Sequence, residues 1–80
     1  MNPTVQLVEA TDDYQLVVTF DNGERKKVDI STYLDKGVFR ELRKLNYFKR
    51  VSVSFGSVIW PHEQDLSYDT LYLSGKNLDA

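Results

Sequence analysis

The chain has 80 residues, no Cys and a net charge of −2, with 41% hydrophobic and 12% aromatic residues. That length makes one domain with a small core, the composition argues against disorder, and the missing thiols exclude disulfides and thiolate metal sites. No signal peptide and no apolar run long enough to span a membrane can be read, so a soluble, cytoplasmic protein with no membrane association is expected.

Charge is unevenly spread. Residues 1–24 carry Glu9, Asp12, Asp13, Asp21 and Glu24 with no base, for −5. Residues 25–50 hold nine of the ten Lys and Arg against Asp29, Asp35 and Glu41, for +6. Residues 51–80 set Glu63, Asp65, Asp69 and Asp79 against Lys76, for −3. A basic middle between acidic ends is either a partner-facing patch or a set of solvated faces.

In chain order, residues 5–10 read as a first strand. Residues 14–20 alternate, with Tyr14, Leu16, Val18 and Phe20 on one face. Residues 24–30 place Val28 and Ile30 together. A three-residue loop Asp21-Asn22-Gly23 pairs Leu16 with Val28 and Tyr14 with Ile30, whereas a two-residue loop sets Phe20 against Arg25. The apolar pattern selects the first, with Gly23 left-handed in a G1 bulge.

Residues 31–37 form a turn region with a single helical turn after Ser31. Val38, Phe39, Leu42 and Leu45 recur at spacings of three and four, extended by Phe48, and predict an amphipathic helix from Val38 to about Tyr47. Residues 50–55 predict a strand. A Gly56-Ser57 turn then pairs Phe55 with Val58 and Val53 with Trp60. Pro61 ends that strand. Ser67 caps a short helix, Leu66 and Leu71 staple its start, Asp69 suits its dipole, and Gly75 ends it. Lys76 to Ala80 are expected to fray. The fold class is α+β: one domain over 1–80, with antiparallel hairpins of about five strands packed on one amphipathic helix, and a short C-terminal helix.

These residues carry a resemblance. Phe20 to Glu24 (F-D-N-G-E), Val28 to Ile30 (V-D-I), Gly37, Phe39 and Leu42 (G-x-F-x-x-L), Phe48, Ile59 to Pro61 (I-W-P), Asp65-Leu66 and Leu71-Tyr72 follow one another along nearly the whole chain. The pattern resembles the prokaryotic domain of unknown function 2442, most specifically in W-P-x-x-x-D-L-x-x-D-x-L-Y. It departs at Tyr68, the first helical position, where such sequences often carry Pro. The resemblance implies a short bacterial chain, in some cases encoded beside another small protein and in others fused to a helix-turn-helix. Eighty residues leave no room for such a fusion. A module of a small protein complex, antitoxin-like in its most concrete form, is what the resemblance implies.

Chemistry is sparse. Ser57, His62 and Asp65 do not form a triad by proximity in sequence, and His62, Glu63, Asp65 and Asp69 lack any metal-ligand spacing. The four glycines are isolated and make no phosphate loop. No enzyme, cofactor, metal or small-molecule substrate is expected. The leading reading is a non-enzymatic protein-interaction module, working through a protein partner or a homodimer. A nucleic-acid-binding regulator using the basic segment 25–50 is the alternative. The interaction candidates are Arg40, Arg43, Lys44, Tyr47, Trp60, Asp65 and Tyr72. Of these, Trp60 reads more simply as a core residue, and Tyr72 is the better contact.

Overall fold

The computed structural model describes residues 1–78. Two antiparallel sheets enclose one α+β core. The first is a meander of β1 (Val5–Ala10), β2 (Gln15–Phe20) and β3 (Arg25–Asp29), joined on the far side of β3 by β7 (Lys76–Asn77). The second is the meander β4 (Ser52–Ser54), β5 (Ser57–Ile59) and β6 (Asp65–Leu66).

The first hairpin has the register set by its apolar pattern. Leu16 lies opposite Val28, and the Phe20 amide donates to Glu24 O at 2.8 Å across the loop Asp21-Asn22-Gly23. The Gly23 amide donates to Phe20 O at 2.9 Å and its φ is +89°, the geometry of a type I turn with a G1 bulge. Between β1 and β2 the register shifts at Gln6. That bulge turns Leu7 outward and lets Val8 pack on the core.

The second hairpin corrects the expected register. Ser54 pairs with Ser57 and Val53 with Val58, so the turn is Phe55-Gly56 rather than Gly56-Ser57. Both turn residues are left-handed, Phe55 at φ +49° and Gly56 at φ +77°. The reason lies in β1. The Val5 amide donates to Gly56 O at 2.8 Å, and a Cβ on residue 56 would stand 2.8 Å from Thr4 Cβ. Only glycine allows the backbone that close, which holds the turn one residue earlier and leaves Phe55 fully exposed.

The single amphipathic helix is also corrected. Residues Gly37–Arg43 form a 3-10 helix, and a separate four-residue α1 (Leu45–Phe48) follows. At the junction Lys44 is extended, with φ −77° and ψ 109°. The Tyr14 hydroxyl donates to Arg43 O, taking an acceptor that a continuing helix would use. No side chain caps the 3-10 segment at Lys36. Leu42 is buried and Phe39 packs on the core, while Val38 is exposed.

The C-terminal helix α2 (Tyr68–Ser74) matches expectation: the Ser67 side chain accepts from the Thr70 amide, Asp69 lies in the first turn and Gly75 closes the end. Beyond it the expected fraying is corrected for Lys76 and Asn77, which pair with Lys27 and Lys26. Asp79 and Ala80 lie outside the described residues.

The core draws Leu16, Val18, Phe20, Val28 and Ile30 from the first sheet, Val58 and Leu66 from the second, and Leu42, Phe48 and Leu71 from the helical segments. Trp60 joins them at 1% exposure. Its indole N–H donates to Phe48 O at 2.8 Å, and its ring stacks on Phe48 at 6.1 Å between centroids.

Candidate interaction site

The break at Lys44 shapes a concavity on the surface. It measures about 550 Å³, is shallow, and is lined by Lys44, Leu45, Asn46, Tyr47 and Arg50. The extended Lys44 enters α1 from one side, while the Arg50 amide donates to Tyr47 O at 3.0 Å and turns the chain back on the other. Had one helix run on through Arg50, six residues at about 100° each would have set the two cations about 120° apart around its axis. The break brings them to one rim.

A polar cluster supports the floor from behind. Gln64, 4% exposed, is the one buried polar side chain among the described residues. A tight turn puts it there: the Glu63 amide donates to Trp60 O and the Trp60 amide to Gln64 O, both at 2.9 Å, with Glu63 left-handed at φ +71°. Tyr47 OH donates to Gln64 Oε1 at 2.6 Å and accepts from the His62 amide at 2.8 Å. Gln64 Nε2 donates to Val38 O at 2.9 Å and to Glu41 Oε1 at 3.0 Å. His62 Nδ1 lies 2.8 Å from both Glu41 oxygens, and its ring packs on Tyr47 at 5.3 Å. Every buried side-chain polar atom among the described residues has a partner.

The hydrogen bond from His62 holds the Glu41 carboxyl below its usual range, with Gln64 and Lys44 adding to it against desolvation. The unfolded chain therefore binds this proton at higher pH than the folded chain. The stabilisation is complete above about 4.3, the ordinary value for glutamate, and is lost as pH falls through the lower folded value. Glu41→Gln is expected to be less stable than wild type at neutral pH, with the gap closing under acid. Urea midpoints at several pH values check this; a gap that widens under acid contradicts the assignment.

The sequence-predicted residues disperse. Lys44 and Tyr47 meet at the concavity, although Tyr47 is only 8% exposed. Arg40 is exposed on the 3-10 helix. Arg43 is committed elsewhere, pairing with Asp35 and donating from Nε to Leu34 O at 2.9 Å. Asp65 is exposed on β6 opposite Ile59, beside a smaller hollow of about 290 Å³ that Phe55 also lines. Trp60 is core, so its candidacy as a contact is withdrawn. Tyr72 is also withdrawn: its ring meets Phe20 edge-on at 5.2 Å under Lys26 Nζ at 3.8 Å, and its hydroxyl donates to Glu24 at 2.8 Å. That hydrogen bond pushes the Tyr72 phenol up, as a latch between α2 and β3.

The structure does not join Ser57, His62 and Asp65. Ser57 Oγ accepts from the Tyr68 amide at 3.1 Å, and His62 turns to Glu41. Among the described residues no three His, Cys, Asp or Glu side chains gather around a metal position, and no helix is long and apolar enough to cross a membrane. The sequence pattern pointed to neither Leu45 nor Asn46 as lining of the concavity, nor to Gln64 and Glu41 behind it, nor to the exposure of Phe55, whereas Arg50 belonged to the basic segment 25–50.

The family model described as Protein of unknown function (DUF2442) matches residues 5–77, which takes in both sheets and the concavity. No curated protein and no solved structure matches the chain. With a match over nearly its whole length, the chain belongs to the DUF2442 family.

Proposed function

We propose that the chain is a non-enzymatic protein-interaction module, antitoxin-like in that it holds a small neighbouring protein. Phe55 is the observation that carries this reading. Its side chain is 102% exposed, and its backbone sits at φ +49°, where a non-glycine residue costs about 1–2 kcal/mol. A bulky aromatic in that conformation is uncommon, and unlike Tyr14, which shares it but packs on the core, Phe55 keeps its whole ring in solvent. Leu7 and Val53, both exposed, lie on β1 and β4, which pack side by side next to this turn. Exposed apolar side chains on elements that lie close together favour a surface for a partner, and aromatics are favoured anchors there. The Glu41–His62–Tyr47–Gln64 cluster supports the same reading, because its hydrogen bonds knit the 3-10 helix to the turn after Trp60.

Arg40, Lys44 and Arg50 support a second reading, a nucleic-acid-binding regulator. None of them pairs with a carboxylate among the described residues, whereas Arg43 and Lys49 pair with Asp35 and Asp12. Lys26 is turned to Tyr72, so the basic segment does not present one continuous face.

Co-expression with the product of the adjacent gene tests the leading reading. Wild type is expected to co-purify with it, and Phe55→Asn to lose roughly tenfold or more in affinity. Asn tolerates the left-handed turn, so thermal stability should hold or rise. Unchanged co-purification of Phe55→Asn would remove Phe55 as the anchor.

A further inference from the structure

We infer that the concavity between Lys44 and Arg50 seats an acidic segment of the partner protein that carries an apolar side chain, an inference that rests on the interaction-module reading. The lining has two chemistries. Leu45 and the small part of Tyr47 that reaches the surface give apolar lining, and the exposed Lys44, Asn46 and Arg50 give the polar lining. No carboxylate lines it, and neither cation has a salt-bridge partner among the described residues. A volume of about 550 Å³ lies within the range of ordinary ligand sites.

The site is held ready. Tyr47 cannot swing away, since its hydroxyl is bonded on one side to Gln64 and on the other to the His62 amide, and its ring packs on His62. A floor fixed from behind reduces the ordering cost of binding. The two cations stay in solvent at the rim, where they steer and select an acidic partner.

Peptide is favoured over nucleic acid on three grounds. Tyr47 is 8% exposed, too little ring for a base to stack on. Two cations make a short footprint for a phosphate backbone, whose affinity grows with the number of phosphates neutralised. Leu45 and Tyr47, two of the five lining residues, offer apolar surface, which a leucine or phenylalanine side chain uses and a phosphate does not.

Fluorescence anisotropy with a short labelled peptide of alternating glutamate and leucine tests this. Binding is expected, weakening with salt, and the Lys44→Glu/Arg50→Glu double variant should lose roughly tenfold or more. Both positions are exposed, and thermal unfolding verifies that the double variant folds. Lys36→Glu, outside the lining, should bind as wild type. The inference is overturned if the peptide does not bind, or if the double variant binds it unchanged. It is also overturned if a glutamate–serine peptide binds equally well, which would mean a general anion site. Tighter binding of a single-stranded oligonucleotide, lost in the double variant, overturns it in favour of nucleic acid. Phe55→Asn should leave peptide binding intact. If the peptide fails while Phe55→Asn still loses the co-expressed partner, the concavity is excluded and the module reading stands.

Discussion

Trp60→Ala is expected to lower the unfolding free energy by about 3–5 kcal/mol, enough to leave much of the population unfolded at physiological temperature. A domain of 80 residues has roughly 4–12 kcal/mol in all, so one such loss is a large share. Three contributions add. The indole is 1% exposed, so nearly all of its apolar surface returns to water. Its stacking on Phe48 disappears, and Phe48 O loses the 2.8 Å donor that ties α1 to the end of β5. The site is walled by two sheets and α1, so the cavity cannot collapse easily. Trp60→Phe keeps a ring and should cost less. Urea unfolding followed by far-ultraviolet circular dichroism measures both; an Ala variant with the wild-type midpoint would contradict the placement of Trp60 in the core.

Gln64→Leu should cost about 1–3 kcal/mol even though the side chains are close in size. The substitution leaves Tyr47 OH without its acceptor in a buried position and Val38 O without its donor in a part-buried one. An apolar swap is neutral only when all partners are replaced together. Tyr47→Phe alone and combined with Gln64→Leu closes a double-mutant cycle, and a coupling well above zero is expected. Additive losses would mean that the two residues act separately. Because Tyr47 also floors the concavity, Gln64→Leu should weaken peptide binding more than its distance from the rim implies.

Much of the first sheet was legible because strand period and turn chemistry agreed. Leu16, Val18 and Phe20 could face the core only if Leu16 met Val28, and that fixed the loop. The second hairpin was misread because Phe55 is apolar and was assigned to the core. The better signal was symmetry: V-S-F-G-S-V, residues 53–58, pairs Val with Val and Ser with Ser about Phe55-Gly56. What decided it was Thr4, about fifty residues away in sequence, and pattern within a window cannot see such a contact. The helix misled in a similar way. Without Val38, the stripe Phe39, Leu42, Leu45 and Phe48 has a strict period of three, the 3-10 repeat. Tyr14, which takes Arg43 O, completes the reason for the break.

The candidate site was less legible than the fold. Lys44 and Tyr47 were picked out by charge and aromaticity, but Arg50 joins them only because the helix is broken. Gln64 gave no signal at all. It sits in a turn, where no periodicity separates inside from outside, and its neighbours Glu63 and Asp65 are exposed. Trp60 and Tyr72 were attractive as contacts for the same chemistry that made them useful inside.

The strand order also bears on how the chain assembles. Strands β1 to β3 pair with their neighbours in sequence, and so do β4 to β6; β7 alone returns, setting Lys76 beside Lys27. Each meander closes short loops, which carry a small entropic cost and form early. The late step is then the docking of two locally built halves, fastened by Val5 on Gly56 at one end and by β7 on β3 at the other. No strand has to thread between others already formed, so the domain assembles quickly for a protein whose regular structure is mostly sheet.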